Sequence, residues 1–146
     1  MVISTLFDLL GAPLSNTRQS WGATRADHTI VLRVWFEAIF DVDGVKYVQL
    51  IGDDWSTEKF GYKEREAHVA RIVAGEQCLM VMCECVDPDA KSWEIKKFNA
   101  QDVFVGGDLI RRDTLTNNFI TATNGVFIRI ADRIPARQFY VARGNG

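Results

Sequence analysis

The sequence predicts an α+β domain rich in β-structure, with about seven strands in a curved or barrel-like sheet and two or three helices. A helical pattern over 62–74 runs through Gly75 into an apolar run over 78–83, which is typical of a strand buried on both faces. Short segments of alternating polarity, separated by turn residues, flank this unit on both sides. The 146 residues, 47% of them apolar, fit one domain spanning 1–146.

The first part of the chain contains one predicted helix, three predicted strands and a polar loop. The helix covers 4–10 and ends at Gly11, with Pro13 close behind. Asp43-Gly44 lies between apolar runs, which is a strong hairpin signal. The strands are expected over 22–25, 29–38 and 45–51, and the polar loop over 52–61.

The central helix is predicted to be amphipathic, with Gly75 just past its end in a positive-φ conformation. Helical spacing divides its side chains into two sets. We expect the apolar set to be buried, namely Tyr62, Val69, Ala70 and Val73. We expect the polar set to be exposed, namely Lys63, Glu64, Arg65, His68 and Arg71.

After the central strand the pattern is that of a β-rich half. Gly106-Gly107 interrupts one apolar segment and predicts a bulge or bend. Asn117-Asn118 and Asn124-Gly125 are predicted as turns. The strands are expected over 93–98, 103–110, 119–123 and 126–131.

Cysteine use and hydropathy indicate the compartment. The chain has no apolar run of about 18 residues, so no membrane-spanning segment is expected. Its first 13 residues lack the basic start and apolar core of a secretory signal. Cys78, Cys83 and Cys85 share one strand at spacings that do not favour a disulfide, which points to a reducing compartment. We therefore expect a cytoplasmic protein.

Charge is unevenly distributed along the chain. The net charge is -2, but the segment 111–146 carries six arginines against two aspartates, a local charge of +4. A solvated surface explains such a segment, and so does a patch that contacts phosphates, for which clustered arginine is the expected chemistry. Both interpretations stay open at this point.

Few residue patterns favour an enzyme. His28 falls in a predicted turn and His68 on the predicted polar face of the central helix, four residues after Glu64, where a surface pair explains it. The cysteines and histidines lack zinc-ligand spacing, and Gly106-Gly107-Asp108 lacks the length and ending of a phosphate loop. We therefore expect no metal, no cofactor and no catalytic residue in this chain alone.

The aromatic residues are the more informative candidates for a site. Trp21 and Trp55 both lie where a loop meets a regular element, next to small polar residues. Two large aromatic side chains beside polar groups can sandwich a planar ring and read its edge. Covering one end of a barrel is the competing explanation. Trp35 alternates within a strand, which favours the core, although we keep it as a candidate.

The order of elements resembles the PUA-like superfamily, which includes the EVE, YTH and ASCH domains. In those families a helix commonly runs into a Gly-Asp turn that opens a core strand. The segment 71–81, Arg-Ile-Val-Ala-Gly-Glu-Gln-Cys-Leu-Met-Val, is similar to that junction, with Glu76 in place of the usual aspartate. The segment covers about twenty residues with its flanks, and the aromatic-rich motifs of YTH proteins are absent from this sequence.

What the resemblance implies is a reader of nucleobases. EVE-like domains of modification-dependent restriction endonucleases recognise methylated or hydroxymethylated cytosine flipped out of DNA, often beside a separate nuclease domain. We therefore expect a specificity module that binds double-stranded DNA with a modified base. Base-binding candidates, taken from the residue pattern, are Ser20, Trp21, Gly22, Trp35, Asp54, Trp55 and Tyr62. Phosphate-binding candidates are Arg18, Arg25, Arg33, Arg111 and Arg112.

Two other classes of function stay open. One is a small-molecule-binding or hydrolytic protein in which Asp53, Asp54 and Glu64 act as acid and base groups. The other is a protein-interaction accessory factor with exposed tryptophans as anchors. The sequence does not distinguish DNA from RNA or name the modified base.

Overall fold

The computed structural model describes residues 1–53 and 55–142. These residues form two α-helices, eight strands and two short 3₁₀ turns. In chain order the elements are α1 (Ile3–Leu9), β1 (Gly22–Thr24), β2 (Ile30–Trp35), a first 3₁₀ turn (Phe36–Ala38), β3 (Ile39–Val42), β4 (Val45–Gly52), α2 (Phe60–Val73), β5 (Cys78–Cys85), β6 (Ile95–Phe98), β7 (Asp102–Thr116), β8 (Thr121–Pro135) and a second 3₁₀ turn (Ala136–Phe139).

All eight strands belong to one open, curved sheet, in which seven follow the order β1-β2-β5-β7-β8-β4-β3. The strands β6 and β7 pair with the same edge of β5. β7 pairs with the start of β5 and β6 with its end. Only β2 and β5 run parallel; the other described pairs are antiparallel. The prediction of a β-rich α+β fold with two helices and a curved sheet is confirmed.

The central helix–strand unit is also confirmed. Gly75 ends α2 with a φ of 114°, which only glycine adopts without strain, and its N–H donates to the carbonyl of Ile72. The strand β5 is buried along nearly its whole length. Its alternate side chains enter two separate cores. Met80 and Met82 join the larger core inside the curved sheet, whereas Leu79 and Val81 join a smaller core under α1.

The expected burial of α2 is wrong for four of its side chains. Arg65 is 3% exposed and His68 is 8% exposed, although both were expected in solvent. Ala70 and Val73 are exposed, Val73 at 72%, although both were expected in the core. The reason is that this helix covers a gap in the sheet where strand carbonyls need donors, so a polar face packs there.

The first predicted strand region divides in two. The strand predicted over 29–38 ends at Trp35, and after the first 3₁₀ turn the chain forms β3, which the sequence did not indicate as a separate strand. The hairpin predicted at Asp43-Gly44 is confirmed, because both residues have positive φ between β3 and β4.

In the hairpin β7–β8, two predicted features are confirmed and one predicted turn is wrong. The register shifts around Gly106, as predicted for a bulge. Asn117 forms a turn, with its side-chain oxygen accepting the N–H groups of Phe119 and Ile120. The turn predicted at Asn124-Gly125 is wrong, because Gly125 pairs with both β4 and β7 inside one long strand. Asn124 uses its tolerance of positive φ, here 47°, within that strand.

Neither described helix has the length and apolar character needed to cross a membrane.

Candidate functional site

The N-terminal half of α2 fixes the segment that carries Trp21. One carboxylate oxygen of Glu64 accepts the backbone N–H groups of Trp21, at 2.8 Å, and Gly22, at 3.2 Å. The other accepts the hydroxyls of Ser20, at 3.0 Å, and Ser15, at 3.2 Å. Four hydrogen bonds to one carboxylate hold the loop before β1 against the helix.

Arg65, the next residue, spans the gap between strands β2 and β4. Its guanidinium donates to the carbonyl of Leu50 in β4, at 2.9 Å, and to the carbonyls of Trp21 and Arg33 beside β1 and in β2. Strands β2 and β4 are not paired with each other, so Arg65 supplies donors to both. Burial, with Arg33 nearby, lowers the pKa of Arg65 to about 10, and the side chain therefore stays charged at neutral pH.

The structure brings Trp21 and Trp55 together, as expected, but not as a sandwich. Their ring centroids are 5.7 Å apart and the planes meet at 83°, an edge-to-face contact. The indole of Trp21 also lies against the backbone of Gly61, where an added Cβ would meet it at 2.2 Å. In this conformation no planar ring fits between the two indoles. Base binding at this edge stays a prediction.

The other base-binding candidates differ in availability. Ser20 is fully buried, and its hydroxyl is engaged by Glu64 and by the N–H of Asn16. Trp35 packs edge-to-face with Trp93 at 5.4 Å and against both cores. Gly22 is buried, Tyr62 is half-buried at the start of α2, and Asp54 lies outside the described residues.

The five phosphate-binding candidates fall into two groups. Arg25 donates to the carbonyls of Leu10 and Phe139, so its guanidinium ties the two ends of the described chain together. Arg33 is half-buried, and burial lowers the pKa of its guanidinium. The exposed candidates are Arg18, Arg111 and Arg112, and no carboxylate within the described residues pairs with them.

The sequence did not indicate a groove that opens where β5 changes its partner from β7 to β6. Its volume is ≈ 610 Å³, within the range of roughly 300–1,000 Å³ that is typical of small-ligand sites. Three phenyl rings line it, from Phe36, Phe98 and Phe104. The main core forms its floor through Met82, and Ile39 and Ile130 pack against that core. The rings come from the first 3₁₀ turn and from two different strands, β6 and β7, which explains why no local pattern pointed to this site.

Polar groups surround the same groove. The carboxylate of Glu84 lies 3.5 Å from the ammonium of Lys97, and Arg133 pairs with Asp102 at 2.8 Å. The guanidinium of Arg133 also lies over the ring of Phe104, 5.4 Å from its centroid. Asn99 and Gln101 complete the polar part of the lining.

The rim of the groove is held by the tip of the β7–β8 hairpin. The amide nitrogen of Asn117 donates to the carbonyls of Glu37 and Ile39, at 2.9 and 2.7 Å. This contact sets Phe119 against Phe36, with ring centroids 5.9 Å apart. Both phenyl rings are 45% exposed. The hairpin thus extends the aromatic wall of the groove beyond its lining.

Groups that an enzyme would need are placed unfavourably in the described part of the chain. Asp53 is exposed in a turn, and the Glu64 carboxylate is occupied by its four donors. Burial raises the pKa of the Cys78 and Cys83 thiols to about 12. No cluster of three or more His, Cys, Asp or Glu suited to a metal ion occurs among residues 1–53 and 55–142.

The buried His68 of α2 should make the stability of the fold depend on pH. Its Nδ1 is buried without a hydrogen-bond partner among the described residues, and burial is the main reason that its pKa is lowered. Nearby Arg65 and Arg71 lower the pKa further, while Glu64 raises it. Because the unfolded chain binds a proton more readily, the free energy of unfolding should fall as the pH drops below about 6.5.

We expect His68→Gln to flatten this decline between about pH 6.5 and 5. Urea unfolding at a series of pH values measures how the free energy of unfolding changes with pH. His28→Gln, on an exposed turn, is the matched control. The same slope in His68→Gln and in the parent would contradict the assignment.

The described residues define a class of fold, a β-rich α+β domain with an open, curved sheet of about eight strands. Comparison of the chain with protein-family models, with curated proteins and with solved structures finds no match.

Proposed function

We propose that this chain is a nucleic-acid-binding module with a PUA-like, EVE-type fold, which recognises a modified base extruded from double-stranded DNA. Cleavage, in this proposal, belongs to a separate nuclease domain of a modification-dependent restriction system. The observation that carries the nucleic-acid part is the outer face of the β7–β8 hairpin, where the exposed Arg112 lies beside a ladder of threonines and the exposed Arg111 lies on the alternate side of β7.

The register of the hairpin places these side chains together. Thr114 pairs with Thr123 and Thr116 with Thr121, and alternation along β7 puts Arg112 on the same face. All five are exposed. The opposite face of the same ribbon, at Leu115 and Ala122, packs on the main core. The ribbon is therefore anchored on one face and polar on the other.

Such a face suits the backbone of a nucleic acid. Arginine and threonine are common donors to phosphate oxygens, and a two-stranded ribbon fits the major groove of B-DNA. The start of β8, from Thr121 to Thr123, pairs only with β7 among the described residues, so the ribbon is two strands wide there. Arg111, exposed on the alternate side, and Arg18 add positive charge without a paired carboxylate in the described chain.

A duplex-binding titration tests the proposal. We expect a duplex with 5-methyl- or 5-hydroxymethylcytosine to bind more tightly than its unmodified counterpart, with affinity that falls steeply as salt rises. Arg111→Ala with Arg112→Ala should lower the slope of log K against log salt by about 1.8, since each lost phosphate contact contributes about 0.9.

The matched control is Lys91→Ala with Arg137→Ala, which removes the same charge from exposed positions outside the hairpin. Equal losses in both double variants would show attraction to overall charge instead of a hairpin contact. Negligible binding to every duplex would overturn the proposal. An oligomer or complex on a sizing column without response to salt would favour a protein-interaction module instead.

A further inference from the structure

We propose that the groove between β6 and β7 is a binding site for a planar heterocycle with an exocyclic amino group, of the nucleobase kind. The site is separate from the Trp21–Trp55 edge. The inference deepens the proposed function, and it rests on that function only for the source of the heterocycle, a base extruded from DNA. A free nucleoside shares the same chemistry and is the other source to be tested.

The shape of the groove favours a flat aromatic ligand. Its volume of ≈ 610 Å³ lies within the range of roughly 300–1,000 Å³ that small-molecule sites occupy. Phe36, Phe98 and Phe104 provide aromatic surface from three separate segments of the chain. Phe36 is 45% exposed, and its ring makes an edge-to-face contact with Phe119, with centroids 5.9 Å apart. Stacking on such rings is sequence-tolerant and strong.

The polar groups of the groove can read the edge of a base. Asn99 is fixed because its side-chain oxygen accepts the N–H groups of Gln101 and Asp102, both at 2.9 Å. Its amide nitrogen therefore presents donors that have no partner in the described residues. Glu84 supplies an acceptor, and its partly exposed pair with Lys97 is of the kind that contributes little and can be exchanged.

A carboxylate and an amide donor together match the amino edge of cytosine or adenine. The amino group donates to a carboxylate, and the adjacent ring nitrogen accepts from an amide. Uracil and thymine present a carbonyl oxygen where cytosine has its amino group, which would face Glu84 as a second acceptor. The groove should therefore prefer an amino-bearing base.

Arg133 shapes the platform on which the ring would lie. Its guanidinium covers Phe104, and its Nε donates to Asp102 at 2.9 Å. A second guanidinium nitrogen lies 2.8 Å from the same carboxylate oxygen as an ion pair. A planar guanidinium fixed in this way stacks on a base as an aromatic ring does. The Trp21–Trp55 edge offers no comparable open face between its perpendicular indoles.

Titration of the intact chain with free nucleosides, followed by NMR chemical-shift changes, tests the site. The probes are cytidine, 5-methylcytidine, adenosine and uridine. We expect the amino-bearing nucleosides to bind more tightly than uridine. Phe36→Ala should weaken their binding about fivefold or more. Phe60→Ala, with a side chain 44% exposed at the start of α2, is the control and should leave binding unchanged.

Glu84→Gln is the second variant, because this partly exposed carboxylate can change without removing core volume. It should reduce the preference of cytidine over uridine about tenfold, the lower end expected for one good base-edge contact. No nucleoside binding, or equal losses in Phe36→Ala and Phe60→Ala, would overturn the inference.

The duplex titration, repeated with the groove variants, distinguishes a base extruded from DNA from a free nucleoside as the ligand. It also separates the failure of the groove from the failure of the proposed function. Nucleoside binding that needs Phe36 without any duplex binding would support the groove and overturn the nucleic-acid function. Duplex binding that depends on Arg111 and Arg112 but is indifferent to Phe36 and Glu84 would support that function and overturn the groove. If the changes at Phe36 and Glu84 weaken both nucleoside binding and duplex binding, the extruded base is supported as the ligand.

Discussion

Arg65→Met is expected to lower the free energy of unfolding by about 3–5 kcal/mol, a large share of the 5–15 kcal/mol typical of a domain. Three backbone carbonyls, of Leu50, Trp21 and Arg33, would lose a charged donor in a site where the parent side chain is only 3% exposed. The Trp21 carbonyl would keep the backbone N–H of Arg33, at 2.8 Å. An unsatisfied buried polar group costs about 1–3 kcal/mol, and methionine can replace only the packing.

Urea or guanidinium unfolding, followed by circular dichroism, measures this loss. Arg18→Met is the matched control, since that arginine is exposed on the loop before β1. Arg65→Lys keeps the positive charge but not the planar, forked guanidinium. Its free energy of unfolding should therefore lie between those of the parent and of Arg65→Met. A loss below about 1 kcal/mol in Arg65→Met would show that water or neighbouring groups replace the guanidinium.

Glu64→Ala is expected to be the second most damaging change on α2, at about 2–4 kcal/mol. The carboxylate accepts two backbone N–H groups, of Trp21 and Gly22, and two hydroxyls. The hydroxyls can turn toward other acceptors, whereas the backbone N–H groups cannot. The loop that carries Trp21 should therefore loosen together with the loss of stability.

Denaturant unfolding and tryptophan fluorescence of the folded state report these two effects separately. Glu66→Ala, an exposed acid two residues further along the helix, controls for charge and helix propensity. Glu64→Gln should lose less than Glu64→Ala, because its amide oxygen can still accept one pair of donors. If Glu64→Ala and Glu66→Ala proved equally stable, the carboxylate would have no anchoring role.

Elements with strong local patterns were predictable from the sequence. The unbroken apolar run of β5 and the glycine after α2 identify a buried strand and a helix end without reference to the rest of the chain. The Asn124-Gly125 pair shows where local signals fail. It is typical of a turn, but Gly125 pairs with strands on both sides, so the strand continues and Asn124 makes only a local departure from it, with a φ of 47°.

The polar face of α2 was not predictable for a related reason. Arg65 and His68 look like surface residues in any local pattern, and their burial depends on which strands fail to pair across the sheet. The groove has the same origin. Phe36, Phe98 and Phe104 meet because β5 changes partner, a feature of topology that spacing along the chain does not encode.

The bridge made by Arg65 also bears on the order in which the chain folds. Its acceptors lie on either side of a gap that exists only after β2 has paired with β5 and β4 with β8, and both pairings join segments distant in sequence. Closing such long loops is slow compared with forming helices or hairpins. We therefore predict that the guanidinium contacts form late in folding, and that changes at Arg65 speed unfolding more than they slow refolding.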